Sequence, residues 1–290
     1  MTCQSCSKQS GERFGIVFDS LLVSIILVLT LAGSVDAGER YRRIVSLAPS
    51  ITEILFALGL EESITGVTNF CDYPPEAKTK SKIGGMSNPS VEAILRLSPD
   101  LVILTTDGNP KYLESRLGGL GIRTYVFRAR RISELPGGIR KMGSFIGVPD
   151  EAENLSARIE TVLKDYAGKQ LSTGRSQKVL FIIWPDPLIV AGPGTEIDDV
   201  LGILGLQNIA HDAPNNYPRY SLEEVIRRDP DIIFIGKGHA DMKEVAGRIL
   251  KRLASLRAVK EGRVYFVSDA LYRLGPRVIE GIRELAGYLK

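Results

Sequence analysis

The scarce reactive side chains of this 290-residue chain are two histidines, His211 and His239, three cysteines, Cys3, Cys6 and Cys71, and one tryptophan, Trp184. Two histidines cannot build an all-histidine metal site, which argues against a zinc hydrolase. Each lies in a loop of the second half, where a lone histidine is more often solvated than ligating. Cys3 and Cys6 have the C-x-x-C spacing of a redox or zinc site, but no second half-site follows and no strand precedes them. Cys71 reads as a small loop or core residue. No G-x-S-x-G elbow and no G-x-x-x-x-G-K-[ST] phosphate loop occurs, so neither acyl transfer nor ATP hydrolysis has residues to stand on.

Charge narrows the partners. The 37 basic residues face 34 acidic ones, a formal +3 spread without a basic block, which leaves no footprint for nucleic acid. At 44% apolar and 24% charged the composition is that of a globular protein. Near the start, Lys8 and Arg13 precede a charge-free run over 20–35 containing LLVSIILVLTLA, and Val35-Asp36-Ala37 is a small-x-small cleavage site. Residues 1–37 are expected to be a cleaved export signal; Asp19 interrupts the alternative, an uncleaved anchor over 14–35. Leu31-Ala32-Gly33-Ser34 resembles a lipoprotein box with serine in place of the acylated cysteine. Cleavage after Ala37 would leave a single cysteine and no internal disulfide.

From Arg42 onward, short β-branched runs alternate with helical patterns. Strands are expected at 44–47, 64–67, 101–104, 123–127 and 178–183, with helices at 90–97 and 111–120. Ser50-x-x-Glu53 after Pro49 has the form of a capping box, opening a helix that stops at Gly59. Such alternation means parallel sheets covered by helices. One long amphipathic helix over 149–170 carries Leu155, Ile159, Val162, Leu163 and Tyr166 on one stripe, long enough at about 1.5 Å per residue to bridge two lobes.

The pattern then restarts. Ser90, Glu92, Arg96, Pro99 and Asp100 match Ser221, Glu223, Arg227, Pro230 and Asp231 at a constant offset of 131, with apolar positions in register between them. Upstream, ILFALGL beginning at Ile54 matches VLGILGL beginning at Val200 at offset 146. Serine suits an N-cap, glutamate answers the helix dipole, and proline ends a helix before a buried strand; Ser221 with Glu224 makes a second capping box. The chain is expected to be two similar Rossmann-like α/β lobes with parallel sheets on a single long interdomain helix: signal 1–37, first lobe 38–148, helix 149–171, second lobe 172–290.

Taken together, VSLAPSITEILFALGL, CDYPPEAK, the paired S-x-E-x-x-x-R-x-x-P-D segments and VKEGRVYFVSD resemble periplasmic substrate-binding proteins of the cobalamin and ferric-siderophore class. The resemblance covers 42–288 and implies a ligand cleft between lobes that close only slightly. It implies as partner an ABC permease dimer with separate ATPase subunits, a periplasmic location, and contact with the membrane only through the permease. Tyr73, before a double proline, stands where cobalamin-binding relatives carry an aromatic that contacts the corrin. Trp184, followed by Pro185-Asp186-Pro187, suits contact with a flat macrocycle. Tyr217 replaces a tryptophan usual in that branch, and the tryptophans usual around Gly84-Gly85-Met86 are absent. Asp269 and Arg273 match a loop supplying polar contacts, with Arg273 a donor to ligand amide or phosphate oxygens, whereas Arg277 reads as an ordinary surface charge.

Glu92 and Glu223 match the glutamates that, one per lobe, meet arginine pockets on the permease in this class; capping electrostatics is the local alternative. The resemblance thus implies cobalamin as transported ligand, with no catalytic cofactor. The alternatives are a ferric siderophore, favoured by an arginine-lined cleft, and haem, which would need His211, His239 or a tyrosine as axial ligand. A corrinoid- or metal-cluster-processing enzyme on a related fold would need cysteines or motifs that this sequence lacks.

Overall fold

The computed structural model describes residues 41–167, 176–237 and 242–289. The expected signal and its cleavage site, Cys3, Cys6, His239 and the end of the expected interdomain helix lie outside the described residues.

In the first lobe, β1 (Ile44–Ser46), β2 (Ile64–Val67), β3 (Ser81–Lys82), β4 (Leu101–Thr105) and β5 (Thr124–Phe127) alternate with α1 (Pro49–Ala57), α2 (Val91–Arg96) and α3 (Tyr112–Gly119). All strands are parallel, in the order β3-β2-β1-β4-β5. Helices α4 (Leu135–Ile146) and α5 (Pro149–Tyr166) follow, and the chain enters a second sheet at β6 (Lys178–Pro185). There β7 (Leu188–Val190), α6 (Glu196–Ile203), β8 (Gln207–Asn208), α7 (Leu222–Arg228), β9 (Ile232–Gly236), α8 (Met242–Arg252), α9 (Arg257–Lys260), β10 (Val264–Val267) and α10 (Val278–Gly287) complete the fold.

The second sheet, ordered β10-β9-β6-β7 with β8 also on β6, departs from the expected all-parallel pattern, because β7 is antiparallel. The cause is local: Asp186 and Pro187 fold β6 back on itself, pairing Trp184 with Ile189 and Pro185 with Leu188.

The sequence repeat is a structural repeat. Ser90 and Ser221 cap α2 and α7, each hydroxyl accepting the backbone N–H three residues on, at 3.1 and 3.2 Å. Gly59 and Gly205 end the equivalent helices α1 and α6 at φ +71° and +72°, a region that favours glycine. Among the described residues the two non-glycine positions with positive φ, Ser98 at 42° and Asp229 at 45°, are also 131 positions apart. Each lets the chain reverse before a Pro-Asp pair whose aspartate accepts the N–H opening a neighbouring strand. Asp100 takes Arg42 N at 2.7 Å and Asp231 takes Lys178 N at 2.8 Å.

Two local expectations fail. Helix α1 begins at Pro49 with Ala48 at its N-cap, so Ser50 and Glu53 form no capping box and Glu53 is buried. Proline fits the first helical position because its missing N–H would be unpaired there anyway. The Ser221–Glu224 box is half formed, since the Glu224 carboxylate turns to Arg227 and Arg228 instead.

Strand alternation shows how the lobes are joined. Val45, Val102 and Leu104 pack outward beneath α2 and α3, and Leu180, Ile182, Ile233 and Ile235 do the same in the second lobe. Their alternates Ile44, Leu101, Ile103, Val179, Phe181, Ile232 and Phe234 join Leu155 and Ile159 of α5 in one apolar core. A core continuous across both sheets resists large changes in lobe orientation. Helix α5 ends at Tyr166, with Ala167 already extended.

Candidate functional site

A cavity of about 410 Å³ opens between the lobes at the carboxyl ends of the parallel strands, within the roughly 300–1,000 Å³ of small-molecule sites. From the first lobe come Pro49 and Ser50 after β1, Phe70 after β2, Met86 after β3, Thr106 and Asp107 after β4, and Ala129 and Arg130 after β5. Asn109 ties these loops together. Its Oδ1 accepts Thr105 N at 2.8 Å, and its Nδ2 donates to Leu47 O at 3.0 Å and Met86 O at 2.8 Å.

The opposing wall is Gly194, Thr195 and Glu196, Asn216 and Tyr217, and the 272–274 segment after β10. Gly192 lets the first two pieces meet: its N–H donates to Asn216 O at 2.7 Å, and a Cβ there would stand 2.5 Å from Asn215 O. Val190 N and Tyr220 N exchange hydrogen bonds with Pro218 O and Leu188 O, holding Tyr217 over α6. Thr195 caps α6 through Asp198 N at 3.1 Å. Glu196, the first residue of α6, is only 9% exposed. Burial, with Asp107 and Asp199 nearby, pushes its carboxyl up to about 7. Tyr217 is 46% exposed as a residue, yet burial around its hydroxyl, with Glu196 and Asp107 adding negative charge, raises its pKa well above the usual range.

Beside the cavity a charged clasp crosses between lobes. Arg277 of the second lobe reaches Glu53 of the first at 2.8 Å, and Arg273 reaches Asp72 at 2.6 Å and Glu53 at 3.4 Å. Asp269 pairs with Arg273 at 2.7 Å and with Arg277 at 3.1 Å. Burial pushes the Glu53 carboxyl up against the pull of Arg277 and Arg273. Arg277, expected at the surface, is a half-buried structural ion; its guanidinium also covers the Tyr73 ring, 4.1 Å from the centroid. At the opposite edge Ile132 N donates to Asp199 Oδ2 across the lobes at 3.0 Å.

The candidate residues therefore divide. Tyr217 and Arg273 line the cavity. Asp269 stands behind Arg273 in the clasp, and Tyr73 lines a separate groove with Arg277, Pro276 and residues of α5. Trp184 ends β6, 39% exposed, its Nε1 donating to Asp186 O at 2.7 Å, and is not among the cavity residues. His211 pairs with Asp198 at 3.0 Å away from the cavity, and Cys71 is buried 3.1 Å from the Thr52 and Thr68 hydroxyls. Glu92 and Glu223 are exposed at the second position of α2 and α7. Their own backbone N–H, then Ser90 or Ser221, lowers each carboxyl.

Sequence reasoning missed Asp107, Arg130, Glu196 and the cross-lobe role of Glu53. The Thr195-x-x-Asp198 spacing ahead of the VLGILGL repeat marks a helix start and was the available signal for Glu196.

Two α/β lobes on one connecting helix, enclosing a cavity at their strand ends, define a substrate-binding protein. The chain belongs to the periplasmic binding protein family, whose model matches residues 44–271. It is 32% identical over 289 residues to an uncharacterized ABC transporter substrate-binding lipoprotein of Bacillus subtilis, covering 97% of this chain and 88% of that one. The crystal structure of a periplasmic vitamin B12-binding protein of Vibrio cholerae is similar at TM-score 0.74 and 27% identity, over 86% of this chain and 96% of that one. A periplasmic heme-binding protein of Roseiflexus sp. RS-1 is similar at TM-score 0.77 and 29% identity, over 87% and 98%. The chain is thus a substrate-binding component of the ABC-transporter class, an extracytoplasmic role that implies an ABC permease as partner. These relatives are transport proteins, not enzymes.

Proposed function

We propose that this chain captures a corrinoid, cobalamin, between its lobes in the periplasm and delivers it to a permease dimer powered by separate ATPase subunits. The observation that carries the reading is the cavity at the strand ends, walled by Phe70, Met86, Tyr217 and Tyr272, apolar faces suited to a macrocycle. The vitamin B12-binding protein of similar fold supports it. The decisive experiment is titration with cyanocobalamin: a one-to-one complex should quench the single tryptophan, Trp184, because the corrin absorbs at its emission wavelengths. Unchanged emission with no heat of binding would overturn the corrinoid reading.

Haem is the second reading, supported by the heme-binding relative and by Tyr217 at the cavity wall. Its raised hydroxyl pKa works against phenolate ligation of iron.

Export by cleavage after Ala37 is part of the proposal; mass spectrometry of periplasmic protein should find Gly38 at the N-terminus, and full-length protein in the inner membrane would refute it. Glu92 and Glu223 are the proposed docking charges. Leu95 and Ile226, again 131 apart, lie one helical turn further on and are 41% and 44% exposed, so each carboxylate has an apolar neighbour as interfaces do.

A further inference from the structure

Glu196 is a buried carboxyl facing the cavity; its own backbone N–H donates to it, and among the described residues no other side chain hydrogen-bonds to it and no cation pairs with it. One N–H leaves most of a buried carboxylate's acceptor capacity and all of its charge uncompensated, which is costly unless a ligand supplies further donors. The charged groups around it come from several elements. Asp107 reaches it from the loop after β4 in the other lobe, Asp199 stands one turn along α6, and the Tyr217 hydroxyl faces it from the loop before α7. The two cavity arginines do not neutralise this end. Arg273 is held by Glu53, Asp72 and Asp269, and Arg130 is an exposed residue whose Nε lies 3.4 Å from Thr106 Oγ1.

Two acids on opposite lobes, one of them buried and paired with no other side chain, repel a carboxylate or phosphate and accept hydrogen bonds from a neutral donor. We infer that the Glu196–Asp107 end of the cavity receives uncharged hydrogen-bond-donor groups of the ligand, the primary amides on the rim of an amidated macrocycle, and rejects a carboxylate in the same place. This deepens the corrinoid reading and rests on it. An amide N–H₂ donates to the carboxylate oxygens, whereas a carboxylate offers no donor and adds a like charge, so selectivity comes from repulsion as well as attraction.

The test compares cyanocobalamin with its monocarboxylic acid derivatives, each with one rim amide hydrolysed, against the wild-type chain, Glu196→Gln and Asp107→Asn near pH 8. At least one derivative should bind the wild type about tenfold more weakly than cyanocobalamin and recover most of that loss in Glu196→Gln, with partial recovery in Asp107→Asn. The discrimination should shrink near pH 6, where Glu196 takes up its proton. Equal binding of all derivatives by the wild type, or discrimination undiminished in both variants, overturns the inference and leaves the corrinoid reading standing. A chain that binds no corrinoid overturns that reading instead; haemin against its diamide then decides, preference for the diamide lost in Glu196→Gln supporting the acidic end and its absence refuting it. A chain that binds neither macrocycle overturns both.

Discussion

Arg277 Nη2 lies 2.8 Å from Glu53 Oε1, an ion pair between residues 224 positions apart whose carboxylate side chain is 1% exposed. It joins the lobes beside the cavity, so loss of the carboxylate strands a half-buried guanidinium. Removing one partner of a buried pair costs about 3–5 kcal/mol. Glu53→Ala should fall near the lower end, about 3 kcal/mol, because Arg277 keeps Asp269. Denaturant unfolding measures it, and Glu53→Gln, which retains an acceptor oxygen, should lose less. A cost well below 1 kcal/mol would show that the clasp contributes nothing net.

The exposed glutamates call for a different readout. Glu92→Arg combined with Glu223→Arg should leave unfolding and cobalamin affinity near wild type while abolishing uptake by a reconstituted transporter, since charge pairs of this kind govern orientation and on-rate. Loss of ligand binding would place these residues in the cleft, and normal uptake would return them to a capping role.

Ser90→Ala and Ser221→Ala each remove an N-cap acceptor and should cost about 1 kcal/mol. The caps lie in different lobes without shared partners, so the double variant should lose the sum within about 0.5 kcal/mol. A marked excess would mean that the capped helices communicate through the core.

Glu196 makes stability fall with rising pH. Its folded pKa, pushed up to about 7, lies above the ordinary 4.5, so the folded chain holds the proton more tightly than the unfolded one. The contribution is therefore present below about pH 4.5 and is lost as pH rises through 7. The loss is on the order of 3 kcal/mol. Unfolding free energies measured across that window should decline less steeply in Glu196→Gln than in wild type. An identical slope in the variant would show that the carboxyl titrates normally.

Sequence alone determined what depends on neighbours a few residues away. The serine caps, the glycine stops at Gly59 and Gly205, and the Pro-Asp exits at Pro99 and Pro230 are local rules, and their recurrence at fixed offsets made two lobes legible before any coordinates. The alternation of Ile44 with Val45 and of Leu101 with Val102 likewise marked strands buried on both faces. Only the tertiary structure decided what those elements bring together. Ser50-x-x-Glu53 has the local form of a capping box, yet two arginines from the far end of the chain outcompete the cap for the carboxylate. Arg277 reads as a surface charge until Glu53, Asp269 and the Tyr73 ring enclose it. Glu196 looks like first-turn electrostatics on its own helix, and it becomes a buried cavity group because Asp107 and Tyr217 arrive from loops remote in sequence. Burial and long-range pairing set the state of these charges, and neither has a period that a sequence can display.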